Sequence, residues 1–439
     1  MSLFGTDGVR GRANVDLTPE LALSLGAAAV RTLCSSPRPR IVIGIDPRPS
    51  GPMLCQAFAA GAASAGADVV RLGIVPTALV AFAARSADLG VMVTASHNPA
   101  PDNGIKIFGP GGRKLTDAEE RAVEAALDAP WTRPTGTDVG LIYNCDGSDA
   151  EAYVEDLLGI VPTPLAGLRI VVDCANGAAS GTAPEVYERA GADVVAINAF
   201  GGLINDGCGA THLGPLQDAV RAHAADIGIA HDGDADRCLA VDAHGEVVDG
   251  DQILAILALA LRAAGRLTHD TVVSTVMANL GFHHAMRAHD VSVVTTPVGD
   301  RSVLDAMQAG GLVLGGEQSG HVIVLDEAPT GDGIRTALHL LAAMAGSGRT
   351  LAELAGVVHR FPQVLVNVAT AAPAKDVAQS DPVVAAVASA EAALTDRGRV
   401  LVRASGTEPL VRVMVEAPTD AEARTVAASI AAVVEQVRP

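Results

Sequence analysis

The strongest constraint on this chain is a supersecondary pattern that occurs three times. RIVIGIDPRPSG (40–51) is a short apolar run followed by Pro, Ser and Gly; an Ala-rich helical stretch comes next, then AGADVVRLG. RIVVDCANGAASG (169–181) does the same and leads through a helix to AGADVVAI. TVVSTVMANLG (271–281) leads through a helix to HDVSVVTTPVG. Each copy reads as strand, glycine-containing loop, helix, strand, the signature of βα units in parallel or mixed sheets. Three copies predict three α/β domains of related design. The last third differs. RFPQVLVNVAT (360–370), RVLVRASGTEPLVRVMVEA (399–417) and a terminal Ala/Val helix predict a smaller α+β unit. Breaker clusters at 130–137 and 161–164 mark soft linkers. The expected domains are 1–140, 141–247, 248–362 and 363–439.

A chain of 439 residues with 49% apolar residues can bury several cores, and with 3% aromatics those cores must be Ala, Val, Leu and Ile. The net charge of −19 excludes a duplex nucleic acid partner, because no basic run offsets it. Any anionic ligand then needs local Arg, Lys, backbone N–H groups or a metal. The six cysteines form no C-x-x-C pair and read as free thiols in a reducing compartment. No apolar stretch is long enough to span a bilayer, so the expectation is a soluble, cytoplasmic protein without a membrane partner.

Five segments carry candidate chemistry. In VMVTASHNPAPDNGIKIFGPGG (91–112) an apolar strand runs into Ser96 and His97, where ligands gather at the carboxyl ends of strands. Ser96 needs a base, a metal or prior phosphorylation to react; His97 and Lys106 are nearby. The alternative is a plain Ser/Asn/Pro turn. In IGIAHDGDADRCLAVD (227–242), Asp232, Asp234 and Asp236 would point the same way along an extended segment. Three such carboxylates call for a cation, and hard oxygen ligands suit Mg²⁺, with Arg237 as a phosphate partner. An EF-hand is excluded because Ala243 stands at its bidentate Glu position; a solvated acidic loop is the bland alternative. In GGEQSGHV (315–322), Glu317 and Ser319 offer groups that bind sugar hydroxyls, and His321 is a base or an ordinary loop histidine. RASGTEPLVRV (403–413) presents Arg403, Ser405, Gly406 and Thr407 as a phosphate cradle, with Arg412 as a second cation, or else is a hairpin with a polar tip. FGTDGVRG (4–11) places Thr6 and Arg10 in a Gly-rich loop.

These five segments, in this order and across essentially the whole chain, resemble the α-D-phosphohexomutase superfamily. Within it, FGTDGVRG, Gln318, the run Val298 to Arg301 and INDGCGATH (204–212) are most similar to the bacterial branch that acts on glucosamine phosphates. The resemblance implies four domains around a central cleft, contributing a serine loop, a metal loop, a sugar loop and a phosphate loop. It implies that phospho-Ser96 exchanges a phosphoryl group with glucosamine 6-phosphate through a bisphosphorylated sugar, giving glucosamine 1-phosphate for cell-wall precursors. One Mg²⁺ would sit on Ser96, Asp232, Asp234 and Asp236. Lys106 would be general base or acid with a lowered pKa, supported by His97; Arg10 and Arg237 would stabilise transferring charge. Glu317, Ser319 and His321 would hold the sugar, and Arg403, Ser405, Gly406, Thr407 and Arg412 the phosphate that is not reacting. Ala235, Ala404 and Ala210 depart from the usual Gly, Pro and Ser of the family. The alternatives are a phosphomannomutase/phosphoglucomutase with the same chemistry, a phosphatase, and a sugar-phosphate-binding protein without activity. The oligomeric state stays open, a homodimer included.

Overall fold

The computed structural model describes residues 3–5, 7–405 and 409–437. Among the described residues there are four sheets. The first contains β1 (Val9–Arg12), β2 (Arg40–Ile45), β3 (Asp68–Ile74), β4 (Leu89–Val93), β5 (Asp102–Phe108) and β6 (Ile142–Asn144). The second contains β7 (Arg169–Asp173), β8 (Asp193–Ile197), β9 (Ile227–Ala230), β10 (Leu239–Asp242) and β11 (Val247–Val248). The third contains β12 (Thr271–Thr275), β13 (Ser292–Thr296), β14 (Leu314–Gly316) and β15 (Val322–Val324). The last contains β16 (Gln363–Ala369), β17 (Arg399–Ala404) and β18 (Leu410–Glu416).

The first three sheets share one wiring. In each, a central strand pairs in parallel with the next two strands in sequence: β2 with β3 and β4, β7 with β8 and β9, β12 with β13 and β14. The third strand of each set then reverses into an antiparallel neighbour: β4 into β5, β9 into β10, β14 into β15. Helices cross between the parallel strands, as parallel connections require. The central strands are buried on both faces, with Ile41, Val42 and Ile43 and likewise Ile170, Val171 and Val172 at 0% exposure. Such strands read as unbroken apolar runs and not as alternations. The last sheet is antiparallel, in the order β16-β18-β17. This is the expected class: three related mixed-sheet α/β domains and a smaller α+β one.

By compactness the chain forms two units, Met1–Met277 with Asp290–Val357, and Ala278–His289 with Val358–Pro439. The first unit carries the three mixed sheets. In the second, the buried Glu416 carboxylate accepts from Leu280 N at 2.9 Å and so holds the start of the helix Leu280–Ala288. All six cysteines are free. Among the described residues no helix is long and apolar enough to cross a membrane.

The helices Pro19–Leu33 and Gly51–Ser64 touch backbone to backbone. A Cβ on Gly61 would stand 1.9 Å from Leu23 O, and one on Gly26 2.2 Å from Phe58 O. Gly346, exposed near the end of the helix Gly333–Ser347, has open space instead. Gly61→Ala should cost about 1–3 kcal/mol through overpacking, whereas Gly346→Ala should gain up to about 1 kcal/mol in helix propensity. Chemical-denaturation midpoints should therefore move in opposite directions. A Gly61→Ala variant as stable as the parent would show that the helix pair separates without cost.

Candidate functional site

Ser96 lies on the reversal between β4 and β5 and is buried, with φ at +51°. Its Oγ donates to Asp232 Oδ2 at 2.6 Å, and its N–H donates to Thr94 Oγ1 at 2.9 Å. Thr94 Oγ1 in turn donates to Asp46 Oδ2 at 2.7 Å. His97 Nδ1 stands 3.5 Å from Ser96 Oγ. Burial, with Arg237 adding to it, pushes His97 down to about 4.

The metal loop occupies the matching reversal between β9 and β10. Asp232, Asp234 and Asp236 are buried, and one carboxylate oxygen of each lies within 4.8 Å of the others. The expected convergence is present, but an extended segment does not produce it. Ala235 N donates back to Asp232 O at 3.1 Å and Ala235 has φ at +60°, so the loop is a tight turn. Alanine stands here in the left-handed region that glycine enters without strain, which gives the departure from the family's Gly a physical meaning.

The electrostatics follow from this crowding. Burial, then Asp236 and Asp234, raise Asp232 well above the usual carboxylate value. Burial would also raise Asp236, but Lys106, His321 and Arg237 outweigh it and hold it at about 2. Lys106 Nζ is 2.8 Å from Asp7 Oδ2, 3.0 Å from Asp234 Oδ2 and 3.2 Å from Asp236 Oδ2. The lowered lysine pKa expected from burial is therefore corrected: burial acts in that direction, but Asp234, Asp7 and Asp236 raise Lys106 well above its ordinary value. Arg237 donates its backbone N–H to Asp232 Oδ1 at 3.2 Å, and its Nε is 4.0 Å from both Asp232 and Asp236. Asp234 Oδ1 and Asp236 Oδ1 are buried with no hydrogen-bond partner among the described residues. Two orphaned carboxylate oxygens beside a third carboxylate form a hard-oxygen donor set that fits a divalent cation.

The sugar loop is the third reversal, between β14 and β15. Glu317 N donates to His321 O at 3.0 Å and closes the turn. Glu317 Oε1 accepts from Gly299 N at 3.0 Å, and His321 forms a backbone bridge with Arg237. A cavity of about 400 Å³ is lined by Arg10, Ser96, His97, Arg237, Glu317 and His321, among others. Ser319 is half-buried in the turn and is not among the described lining residues. Gln318 reaches Asp249 at 3.5 Å, away from the lining.

Several participants went unread in the sequence. Asp7 bonds Arg10 at 2.7 Å, Lys106 at 2.8 Å and Lys114 at 3.1 Å. Burial opposes its ionisation, but Lys106, Lys114 and Arg10 together hold it well below the usual range. Lys114 also pairs with Asp300. Thr77 Oγ1 donates to Asp234 Oδ2 at 2.6 Å. Arg48 and Asn205 hold the backbone of the serine loop. Arg48 follows the apolar run of RIVIGIDPRPSG, so a charged residue at a strand end was the available signal there; Asp7, inside the Gly-rich FGTDGVRG, had none beyond its place beside Arg10. Thr6 lies outside the described residues.

In the second unit, Arg403 and Arg412 are direct partners across the β17–β18 pair. Arg412 Nη2 donates to Ser405 Oγ at 3.4 Å. Burial, then Arg412, lower Arg403 below the ordinary guanidinium value. Like charges placed opposite one another on a sheet favour an anion between them. Gly406 and Thr407 lie outside the described residues.

Comparison with known proteins agrees with this layout. Profiles described as phosphoglucomutase/phosphomannomutase α/β/α domains I, II and III match residues 1–132, 151–245 and 249–361, and the C-terminal domain profile matches 365–433. Phosphoglucosamine mutase of Frankia casuarinae is 58% identical over 451 residues, covering 100% of this chain and 99% of its own. That of Salinispora tropica is 57% identical over 449 residues, covering 99% and 98%. A phosphoglucomutase/phosphomannomutase family protein of Burkholderia thailandensis shares the fold at a TM-score of 0.81 and 24% identity, covering 99% of this chain and 97% of its own. Aspergillus fumigatus N-acetylphosphoglucosamine mutase, solved with GlcNAc-6P and magnesium, shares it at 0.70 and 20%, covering 98% and 95%. The chain belongs to the phosphoglucomutase/phosphomannomutase family, within the α-D-phosphohexomutases that its motifs resemble.

Proposed function

We propose that this chain interconverts glucosamine 6-phosphate and glucosamine 1-phosphate, with Ser96 as the phosphoryl carrier. The observation that carries the reading is the Ser96 hydroxyl, 2.6 Å from Asp232 at the mouth of a three-carboxylate cluster. Relatives 56–58% identical along the whole chain bear the name phosphoglucosamine mutase and support the amino sugar as substrate.

Asp232, Asp234 and Asp236, with an oxygen of phosphorylated Ser96, would hold Mg²⁺, which when bound neutralises charge on the transferring phosphoryl group. The chain's own residues do the rest. The bond from Ser96 Oγ to phosphorus breaks as the bond from the sugar hydroxyl oxygen to phosphorus forms, and the proton that the sugar hydroxyl gives up is balanced by the one that Ser96 Oγ takes up. The bisphosphorylated sugar turns over, and its other phosphoryl group returns to Ser96. His97 Nδ1, 3.5 Å from Ser96 Oγ, is placed to exchange the proton of the serine oxygen. Lys106, held as an ammonium by three carboxylates, is a fixed counter-charge. Arg10 and Arg237 line the cavity and face the transferring charge. Glu317 orients the sugar from the cavity wall, with Ser319 and His321 of the same turn. Arg403, Ser405 and Arg412, with Gly406 and Thr407, take the phosphate that is not transferred. The six free thiols fit a reducing cytoplasm.

Ser96→Ala should lower mutase turnover by about 1,000-fold or more and remove a single phosphate from the intact mass while leaving the fold unchanged. Parent-like turnover in that variant would end the proposal. Assayed beside glucose and mannose phosphates, glucosamine phosphate should have the highest kcat/KM, by about 10-fold or more; equal values would return the chain to a broad phosphohexomutase.

The carboxylate cluster makes a second prediction. Removing one buried charge relieves repulsion in the metal-free protein but also removes a ligand. Asp232→Asn should melt at or above the parent in EDTA, yet lose most of the thermal shift that MgCl₂ gives the parent. An equal magnesium response in both proteins would place the metal elsewhere.

A further inference from the structure

We infer that Arg48 and Asn205 are positioning residues for phosphoryl transfer, gripping the Ser96 and Asn98 carbonyl oxygens from two different sheets and thereby fixing where the Ser96 hydroxyl points. This rests on the reading of Ser96 as phosphoryl carrier.

Arg48 follows β2, and its side chain is fully buried. Its Nε bonds Asp46 Oδ2 at 3.0 Å. Nη1 donates to Pro99 O at 2.5 Å and Asp102 O at 2.9 Å; Nη2 donates to Ser96 O at 2.9 Å and Asn98 O at 2.7 Å. All five donors of the guanidinium are engaged, four of them on carbonyls of the reversal that carries Ser96. Asn205 comes from the loop after β8, in the second sheet. Its Nδ2 donates to Ser96 O at 2.8 Å and Asn98 O at 3.1 Å. Each of the two carbonyl oxygens therefore accepts from both side chains, the full capacity of its two lone pairs.

The purpose of such a double grip lies in the backbone of Ser96. Its φ of +51° is one that an L-residue with a side chain adopts only when its surroundings over-determine it. Carbonyl and side chain leave the same Cα region, so fixing the Ser96 carbonyl fixes the direction of Oγ toward Asp232. The metal loop closes against the same point: a Cβ on Gly233 would stand 2.6 Å from Ser96 O and 2.8 Å from Asn205 Nδ2. Asn205 thus ties the serine loop to the sheet that supplies the carboxylates, and Arg48 ties it to its own sheet. Asn205 belongs to INDGCGATH (204–212), whose Ala210 N also donates to His231 O at 2.9 Å, next to the first aspartate of the triad.

The test uses the full-length enzyme and variants Asn205→Ala, Arg48→Lys and the pair together. Misplacing the serine by a fraction of an ångström predicts a fall in kcat of about 10–100-fold, with KM for the sugar phosphate within about twofold. Dephosphorylated protein given glucose 1,6-bisphosphate should acquire one phosphate on Ser96, by intact mass and peptide mapping, more slowly in Asn205→Ala by a similar factor. The double variant should be less than additive, because both side chains hold the same two oxygens. A buried Arg48→Lys that fails to fold would leave the decision to Asn205→Ala, whose melting temperature is measured alongside. Unchanged kcat in Asn205→Ala, a rise in KM at constant kcat, or a loss explained by the unfolded fraction would overturn the inference alone. A parent enzyme that turns over without ever carrying phosphate on Ser96 would overturn both it and the reading beneath it.

Discussion

Three carboxylates buried within 4.8 Å of one another are the constraint on which the rest of this site depends. In a low-dielectric interior their repulsion is steep, and only nearby positive charge makes the arrangement tenable. The chain, at net −19, concentrates that charge where it is needed. Lys106 contacts two of the three carboxylates directly, and Arg237 follows the triad in sequence. Asp7 then sits among Lys106, Lys114 and Arg10, so that charges alternate outward from the cluster. Lys106 cannot be read as an isolated base in such a lattice. Its protonation is set by the carboxylates around it, while Lys106, Lys114 and Arg10 set the ionisation of Asp7.

The same unit, used three times, explains how residues far apart in sequence come together. Each mixed sheet turns its third parallel strand back through a reversal, and the reversals are the serine loop, the metal loop and the sugar loop. Ligand groups collect at the carboxyl ends of strands in α/β sheets, and here three sheets offer three equivalent ends. The cavity wall combines the products: Ser96 from the first, Arg237 from the second, Glu317 from the third. One topological step, repeated, therefore brings a serine, a cation beside the carboxylates and a third-sheet carboxylate to one cavity wall.

That repeat was legible because apolar runs broken by Gly and Pro depend only on local pattern. The triad was legible for the same reason, but its geometry was not. Period-two reasoning holds within strands, and β9 ends at Ala230, before the first aspartate. What brings the carboxylates together is a left-handed Ala235, and alanine gives no hint of that backbone. The behaviour of Lys106 was hidden because Asp234 and Asp236 lie 128 and 130 residues away in sequence. Arg48 was hidden likewise: its carbonyl partners on the serine loop are 48 to 54 residues distant, and no periodicity encodes them.

Strain and support coincide at the heart of the site. Ser96 and Ala235, both in left-handed backbone, flank the bond between Ser96 Oγ and Asp232 from opposite loops. The metal loop is held as tightly as the serine loop. Its successive carbonyls at Gly233, Asp234 and Ala235 accept from Ala178 N at 2.8 Å, Thr77 N at 2.9 Å and Gly333 N at 2.9 Å. Those donors lie on three separate segments, one at the start of the helix Thr77–Ala83 and one at the start of the helix Gly333–Ser347. A loop bonded in this way cannot relax when charge arrives or departs, so its dipoles and carboxylates stay where the transferring group needs them. Phosphoryl transfer asks for placement more than for covalent help. Two strained turns, each pinned by neighbours distant in sequence, are how this fold provides it.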